Sequence, residues 1–302
     1  MKGVILAGGS GTRLAPMTSV TSKQLLPVYD KPMICYPLTN LMNLEIKDIL
    51  IISTPHDTPN IEGFLGDGKE YGLNIQYKVQ EEPKGIAEAF ILGEEFIGDD
   101  NVCLILGDNI FYGSEISSFK NDSLLTKLSG LGKDIGSYIF AYHVSDPERY
   151  GVIDFEDNCD KVTGLEEKPT NPRSNWAATG LYFYDNEVVK IAKSIKPSHR
   201  GELEITDVNK VYLEQGRLGA IKLRRGFAWL DAGTPESLLN SAQFIHTIEA
   251  RQGLKVACLE EVAYIKGFVD ETGFAKLSEK YKKGSPYRNY LEAVLRYEKG
   301  NY

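Results

Sequence analysis

The chain has 302 residues, of which 42% are hydrophobic and 25% charged, and its formal net charge at pH 7 is −8. This composition is typical of a globular protein with one large α/β domain, with or without appendages. A negative net charge argues against a general nucleic-acid binder, whose domains are usually basic. It does not exclude nucleotide binding, which needs only a local cluster of Arg and Lys. The longest apolar stretches are only as long as a strand, so no membrane span is predicted.

The cysteines and the N-terminus indicate the compartment. Cys35, Cys103, Cys159 and Cys258 are scattered, without a CxxC pair or histidine partners at zinc spacing. We therefore expect reduced thiols in a cytoplasmic protein. The first residues are typical of a strand, not of a charged-then-apolar leader, which predicts no secretory signal.

The N-terminal segment has the pattern of a phosphate-binding loop. Residues 3–7, Gly-Val-Ile-Leu-Ala, predict a buried strand that leads directly into a glycine-rich loop, which comprises Gly8, Gly9, Ser10, Gly11 and Thr12. Without a Cβ, glycines let backbone N–H groups approach a polyphosphate closely. Arg13 adds a planar fork that matches phosphate oxygens, and Lys23 adds a mobile charge. The segment therefore predicts a triphosphate site.

Two common nucleotide motifs do not fit this segment. Leu14 stands where the Rossmann fingerprint needs its third glycine, and the chain contains no Walker A string. If only the glycines are considered, the alternative to a phosphate-binding loop is a surface turn in which Arg13 is solvated.

Apolar runs alternate with helix-like segments through the first half. Strands are predicted at 48–53, 74–79 and 102–106, and a helix at 85–96. Unpatterned apolar strands that alternate with helices indicate a parallel sheet covered on both faces. Such sheets bind ligands at the carboxyl ends of their strands, where the glycine loop and Asp108 would both lie.

The second half predicts a mixed region followed by helices. Strands are expected at 135–143, 151–155 and 177–184, and a helix at 204–215. A further helix begins after Thr234, with Pro235 at its first position, and ends before Gly253. Three short helices should follow, with these buried candidates: Leu277, Tyr281, Tyr290, Leu291, Val294 and Leu295. We divide the chain into a core at 1–235 and a C-terminal helical region at 236–302.

Several blocks in order resemble the sugar-phosphate nucleotidylyltransferase family over nearly the whole chain. Leu-Ala-Gly-Gly-Ser-Gly-Thr-Arg-Leu at 6–14 is followed by Ser-Lys-Gln-Leu-Leu-Pro-Val-Tyr-Asp-Lys-Pro at 22–32. The other matching blocks are 106–109, 146–152, 165–169, 179–185, 200–207 and 228–231. Within that family the chain is most similar to the short-form enzymes that make dTDP-glucose.

The resemblance implies a fold, a reaction and partners. The fold is α/β, a Rossmann-like doubly wound sheet of mostly parallel or mixed strands with a C-terminal helical appendage. The reaction joins dTTP and α-D-glucose 1-phosphate to give dTDP-glucose and pyrophosphate, with Mg²⁺, as the first step toward dTDP-L-rhamnose and related deoxysugars. The family expectation for assembly is a homotetramer, with neither nucleic acid nor membrane as a partner.

The resemblance also assigns candidate catalytic residues. Asp108 and Asp231 match the aspartates that hold Mg²⁺, a cation that favours hard oxygen ligands. Arg13 and Lys23 match the residues that grip the triphosphate, and Lys168 matches a sugar-phosphate contact. From the residues alone, either aspartate could instead cap a helix or close a turn, and Lys168 could be an ordinary surface lysine. The sugar phosphate is already ionised, so no general base is needed.

The remaining assignments concern the sugar and the base. The sugar-phosphate candidates are Asn109, Tyr150, Gly151, Glu167, Lys168, Ala178 and Arg200, although Arg200 could equally form a solvated salt bridge. The base candidates are Gln24, Gln80, Pro83 and Gly85. An amide that donates and accepts suits the O4/N3–H edge that thymine and uracil share, so some use of UTP is expected.

One segment matches a second, regulatory nucleotide site near a subunit contact. Its residues are Lys255, Val256, Glu261 and Val262, but Ile265 stands where a cation is expected. Ala232, where relatives often carry Thr, is a milder change beside the metal ligand. Two other functions remain open, namely a related transferase with another substrate and a non-catalytic nucleotide sensor.

Overall fold

The computed structural model describes residues 1–9, 11–113, 128, 130–157 and 159–298. Its strands are β1 (Lys2–Ala7), β2 (Pro27–Val28), β3 (Lys31–Pro32), β4 (Asp48–Ser53), β5 (Asn74–Val79), β6 (Val102–Leu106), β7 (Asn109–Tyr112), β8 (Ser137–His143), β9 (Gly151–Phe155), β10 (Val162–Glu167), β11 (Trp176–Tyr184), β12 (Leu218–Leu223) and β13 (Ala228–Asp231). Its helices are α1 (Cys35–Asn43), α2 (Thr58–Leu65), α3 (Glu88–Leu92), α4 (Glu94–Ile97), α5 (Val188–Ser194), α6 (Ile205–Glu214), α7 (Pro235–Gln252), α8 (Leu259–Ile265), α9 (Glu271–Glu279) and α10 (Pro286–Glu298).

A mixed nine-stranded sheet forms the centre of the fold, in the order β10-β9-β11-β6-β1-β4-β5, with β8 on β11 and β12 on β8. β1, β4, β5 and β6 run parallel to one another. β11 runs antiparallel to β6, β8 and β9. The predicted α/β fold with a mixed sheet is therefore confirmed, and the carboxyl ends of β1 and β6 meet at one edge.

Helices cover both faces of this sheet. Successive residues of β4 alternate between two hydrophobic clusters, since Ile49 and Ile51 belong to one and Leu50 and Ile52 to the other. The first cluster contains side chains of α1, α2 and α8, and the second contains those of α3, α5 and α6. Because a strand points successive side chains to opposite faces, each cluster lies on its own side of the sheet.

A separate two-stranded ribbon, β7 with β13, lies beyond the end of β6. It pairs Asn109 with Asp231 and Ile110 with Leu230. The backbone N–H of Ala232 also donates to the carbonyl of Asp108 at 3.1 Å. The ribbon therefore brings Asp231 beside the residues that follow β6.

The C-terminal helices begin where the sequence indicates. Thr234 caps α7 through a capping box with Ser237, Pro235 is the first helical residue, and Gly253 follows the end with φ 70°. Of the predicted buried residues, Leu277, Leu291 and Val294 are buried. The rest, Tyr281, Tyr290 and Leu295, are only partly buried, packed against the cluster around Phe274.

The predicted helix at 85–96 is wrong at its start and is interrupted. Gly85 has φ 108°, and the backbone on either side of it is tied to Leu203, whose N–H donates to Lys84 O at 2.7 Å and whose carbonyl accepts from Ala87 N at 3.1 Å. These tertiary bonds hold residues 84–87 out of a helix, which begins at Glu88. Gly93 then separates α3 from α4.

Cys35, Cys103 and Cys258 are free and buried, whereas Cys159 is free and exposed. Within the described ranges, no helix is both long and apolar enough to cross a membrane.

Candidate active site at the carboxyl edge of the sheet

A cleft of about 710 Å³ opens at the edge where β1 and β6 end. Its lining includes the predicted residues Gly8, Gly9, Thr12, Arg13, Gln24, Gln80, Pro83, Gly85, Asp108, Asn109, Tyr150, Gly151, Glu167, Lys168, Ala178, Arg200 and Asp231. Gly11 lies outside this lining, Lys23 reaches the site by pairing with Asp108, and Ser10 falls outside the described residues. The fold thus brings together nearly all of the candidates.

The glycine loop follows β1 and has the conformation that glycine favours. Gly9 has φ 97° and Gly11 has φ 60°, both in the left-handed region. Gly8 lies against two amides, because a Cβ there would be 2.5 Å from Gln80 Oε1, and its carbonyl accepts from Gln24 Nε2 at 3.4 Å. The loop therefore leaves its backbone close to the base-candidate side chains.

Asp108 lies directly after β6 and forms an ion pair with Lys23. It also accepts a hydrogen bond from Asn109 Nδ2 at 2.9 Å. Burial alone would raise the pKa of the Asp108 carboxyl, but the charge of Lys23 and these hydrogen bonds bring that pKa below its usual value. Asp108 is therefore negatively charged, and its charge is paired with that of Lys23 in this structure.

Asp231 ends β13 and has the opposite electrostatic surroundings. Its pKa is raised, first by burial and then by the negative charge of Asp108, although Lys23 and Arg13 partly offset this. Gly233 leaves room between Asp231 and Arg13, since a Cβ at this position would lie 3.0 Å from Asp231 Oδ1 and 3.0 Å from Arg13 Nη2. The centre of the cleft thus combines two interacting carboxylates with cationic side chains.

Asn109 is buried, and its amide is occupied by neighbours. Oδ1 accepts from Trp229 Nε1 at 2.6 Å and from the backbone N–H of Gly180 at 3.1 Å, while Nδ2 donates to Asp108. A Cβ on Gly180 would come within 2.5 Å of Oδ1. Asn109 therefore links Asp108 to β11 and β13 in addition to lining the cleft.

The other half of the cleft is built around Glu167 at the end of β10. Thr206 Oγ1 donates to its carboxylate at 2.5 Å, and Arg200 Nη1 and Lys168 Nζ lie 3.7 and 3.8 Å from it. A Cβ on Gly151 would be 3.2 Å from Glu167 Oε2, so the glycine keeps this corner open. Several hydrogen-bonding groups therefore face one small space.

Lys168 has an unusual backbone conformation. Its φ of 45° lies in the left-handed region, which is uncommon for a residue with a side chain, and its N–H donates to Tyr150 O at 3.0 Å. Such strain is found most often at functional sites. This observation favours a functional position over an ordinary surface lysine.

Other residues of the cleft lining were not singled out by the sequence, and they include Arg149, Gly180, Tyr182, Glu202, Thr206 and Trp229. Arg149, Glu202 and Trp229 could have been suspected from their charge or size inside the matching blocks. Arg149 also lines a second cavity of about 490 Å³, which shares Tyr150, Trp229 and Asp231 with the cleft. It pairs with Asp146 at 2.7 Å.

The donor set of Asp108 and Asp231 fits a hard divalent cation. Among the residues that the structure describes, no group of three or more His, Cys, Asp or Glu side chains could hold a metal. Mg²⁺ commonly binds through one or two carboxylates and completes its shell with water and phosphate oxygens. A bound cation would also stabilise the charged form of Asp231, whose pKa is raised by burial and then by repulsion from Asp108.

Sequence comparisons show the family of this chain. The nucleotidyl transferase family matches residues 2–248. The glucose-1-phosphate thymidylyltransferase of Neisseria meningitidis serogroup A is 52% identical over 296 residues, which cover 98% of this chain and all of that one. The Mycobacterium tuberculosis enzyme of the same name is also 52% identical, over 98% of this chain and 99% of its own.

Solved structures show the same fold. A Bacillus anthracis protein described as a glucose-1-phosphate thymidylyltransferase, in complex with sucrose, has a TM-score of 0.73 and 41% identity, and the match covers 81% of this chain and 94% of that one. A UDP-glucose pyrophosphorylase complexed with UDP-glucose has a TM-score of 0.70 at 24% identity, over 82% of this chain and 98% of that one. The second likeness concerns the fold alone.

Proposed function

This chain belongs to the nucleotidyl transferase family, and on that premise we propose that it converts dTTP and α-D-glucose 1-phosphate to dTDP-glucose and pyrophosphate. The observation that carries the proposal is one cleft in which a glycine loop, two interacting carboxylates and the cations Arg13 and Lys23 come together. Transfer of a nucleotidyl group depends mainly on positioning and on neutralising phosphate charge, and these groups supply both.

Asp108 and Asp231 are the proposed Mg²⁺ ligands. Bound there, the ion would neutralise charge on the triphosphate. With a cation held by Asp108, the ion pair of Lys23 with Asp108 would open, and the lysine ammonium would be available to bind phosphate oxygens. Arg13, whose guanidinium is near Asp231 across Gly233, is the second cation for the leaving pyrophosphate.

The sugar phosphate attacks the α-phosphate in line, with its own ionised oxygen as the nucleophile. Lys168 and Arg200 are proposed to hold this phosphate, and Glu167 to accept hydrogen bonds from glucose hydroxyls. The backbone of Gly151 and the neighbouring Tyr150, Asn109 and Ala178 shape the sugar half of the cleft. Because both reactants are bound and oriented in one cleft, the reaction between them becomes effectively unimolecular, which lowers its barrier.

The base half is proposed to bind thymine between the Gln80 amide and the Pro83–Gly85 turn, with Gln24 near the loop. These groups address the edge that thymine shares with uracil. We therefore expect UTP to be used as well, whereas the expected preference for dTTP rests on the similarity to glucose-1-phosphate thymidylyltransferases.

Further parts of the proposal concern the whole protein. We propose a cytoplasmic homotetramer that supplies dTDP-glucose for dTDP-L-rhamnose and related sugars. The core at 1–235 would perform catalysis, and the helical region at 236–302 would contribute a subunit contact. The proposal does not include a regulatory nucleotide site around Lys255, because the exposed Ile265 stands where such a site is expected to have a cation.

The test is pyrophosphate release by purified protein with Mg²⁺, glucose 1-phosphate and either dTTP or UTP. Release that requires the sugar phosphate and is faster with dTTP would support the proposal. Release only with UTP would favour a related transferase. Nucleotide binding without release, across several sugar phosphates, would favour a sensor and overturn the proposed reaction.

A further inference from the structure

Gln80 is a buried side chain that lines the cleft, and its amide is held from outside the cleft. It is 4% exposed and follows the last residue of β5. Its Nε2 donates to Glu88 Oε2 at 2.7 Å. Its Oε1 points the other way, toward Gly8, where a Cβ would lie only 2.5 Å from it. None of the described residues donates a hydrogen bond to that oxygen.

Glu88 is itself fixed in place. It is the first residue of α3, and the same Oε2 atom accepts from the backbone N–H of Lys84 at 3.3 Å. Lys84 lies in the turn that two backbone bonds tie to Leu203. The Glu88 carboxylate therefore connects the Gln80 side chain to the turn at residues 84–87, which the bonds to Leu203 hold in place.

The chemistry of Glu88 determines which end of the Gln80 amide faces the cleft. An ionised carboxylate accepts hydrogen bonds and donates none. A flipped amide would place Gln80 Oε1 against the Glu88 oxygens, with two acceptors in contact and one charge unpaired. The amide nitrogen of Gln80 therefore stays bonded to Glu88, and Gln80 Oε1, a hydrogen-bond acceptor, faces the cleft.

We propose that Glu88 is a positioning residue that selects the base by fixing the Gln80 amide. The inference rests on the proposed function, in which a pyrimidine occupies this half of the cleft. A fixed acceptor suits the N3–H donor of thymine or uracil. Cytosine has an unprotonated N3, which is itself an acceptor, so the same oxygen would repel it.

The test compares dTTP with 5-methyl-dCTP, a pair that shares the 5-methyl group and differs at the O4/N3 edge. Glu88→Met removes the acceptor while keeping a similar length, and Glu88→Gln retains an oxygen that can accept from Gln80. Glu95→Met, at an exposed glutamate on α4, is the matched control. Nucleotide affinity by titration, kcat and KM are measured for each protein.

We expect Glu88→Met to reduce the preference for dTTP over 5-methyl-dCTP about 10- to 100-fold, as for one charge-assisted hydrogen bond. The change should be in KM, with kcat and the KM for glucose 1-phosphate nearly unchanged. Glu88→Gln should lie between the wild type and Glu88→Met, because a neutral amide can accept from Gln80 but can also donate to its flipped form, and Glu95→Met should match the wild type. An unchanged preference in Glu88→Met, or equal loss for both nucleotides, would overturn the proposal.

Two further readouts separate this inference from its premise. If Glu88→Met does not fold, Glu88→Gln takes its place. A smaller preference for dTTP over 5-methyl-dCTP in Glu88→Gln than in the wild type would support the inference, and an unchanged preference would overturn it. If the wild type binds both nucleotides without turnover, the proposed reaction fails, while the titration still reports on Glu88.

Discussion

Asp108 and Asp231 differ in electrostatic state although they line one cleft. The pKa of Asp108 lies below its usual value because Lys23 stabilises its charge, whereas burial and the charge of Asp108 raise the pKa of Asp231. Buried carboxylates with unlike pKa values are typical of functional sites. We therefore expect substitutions in this pair to affect both turnover and the stability of the fold.

Replacing Asp108 with Asn should reduce turnover at least about a hundredfold, because it removes a charge proposed to stabilise the transition state. Pyrophosphate release at saturating substrates measures this effect. Circular dichroism and thermal unfolding are the control, and they should show a retained fold. A fully active Asp108→Asn protein would contradict the metal assignment.

Replacing Asp231 with Asn should also stop turnover, yet it should raise the unfolding temperature at pH 7 by a few degrees. The pKa of Asp231 is higher in the folded protein than in the unfolded chain, where it is about 3.9. Its carboxyl therefore destabilises the fold more and more as the pH rises from about 3.9 through the folded pKa. The stabilisation should consequently vanish below about pH 3.9. Unfolding curves of both proteins at pH 3.5 and pH 7 measure it, and equal stability at pH 7 would refute it.

Individual residues could be predicted where the motif itself specifies the chemistry. The glycine loop, Arg13 and Lys23 follow from residue type and order. The roles of Asn109 and Glu88 could not be predicted, because they depend on which side chains the fold places opposite them. Thr206 likewise gains its position only when α6 packs beside β10.

At the scale of elements, long apolar strands were predictable and short pairings were not. β4, β5 and β6 match their predicted ranges because each is a continuous apolar or alternating run. The strands β7 and β13 were missed, since four-residue segments pair only after distant parts of the chain meet. The early start predicted for the helix at 85–96 failed because bonds to Leu203 outweigh local propensity.

The cap of α7 offers an element-scale prediction. Thr234→Ala should lower the free energy of unfolding by about 1 kcal/mol, because it leaves the Ser237 N–H without its capping oxygen. Denaturant titration measures this loss. Thr247→Ala, at an exposed threonine within the same helix, is the control and should cost less. Equal losses would mean that the capping box contributes nothing specific.

At the scale of the molecule, an ionic cluster joins the N-terminal part to the C-terminal region. Lys31, which is 5% exposed, pairs with Asp30 and with Glu249 of α7 at 3.0 Å. Lys255 pairs with the same Asp30 and lies 3.0 Å from Glu249. The contact between β3 and α7 therefore depends on balanced buried charges.

Lys31→Met should reduce the free energy of unfolding by about 1–3 kcal/mol, because the buried Glu249 carboxylate loses one of its two cations and keeps Lys255. Lys69→Met, at an exposed pair with Asp67, is the control and should leave stability unchanged. Urea unfolding of the three proteins measures the difference. Similar curves for both variants would show that the cluster does not hold the two regions together.

The ribbon that joins the two aspartates also has a consequence for biosynthesis. β5, β4, β1 and β6 all come from the first part of the chain, whereas Trp229 and Asn109, which the ribbon brings into contact, lie 120 residues apart. At roughly 5–20 residues per second, a ribosome needs on the order of ten seconds for that interval. A nascent chain can thus complete its glycine loop and Asp108 well before it can assemble the full acidic pair, so the activity is acquired late in translation.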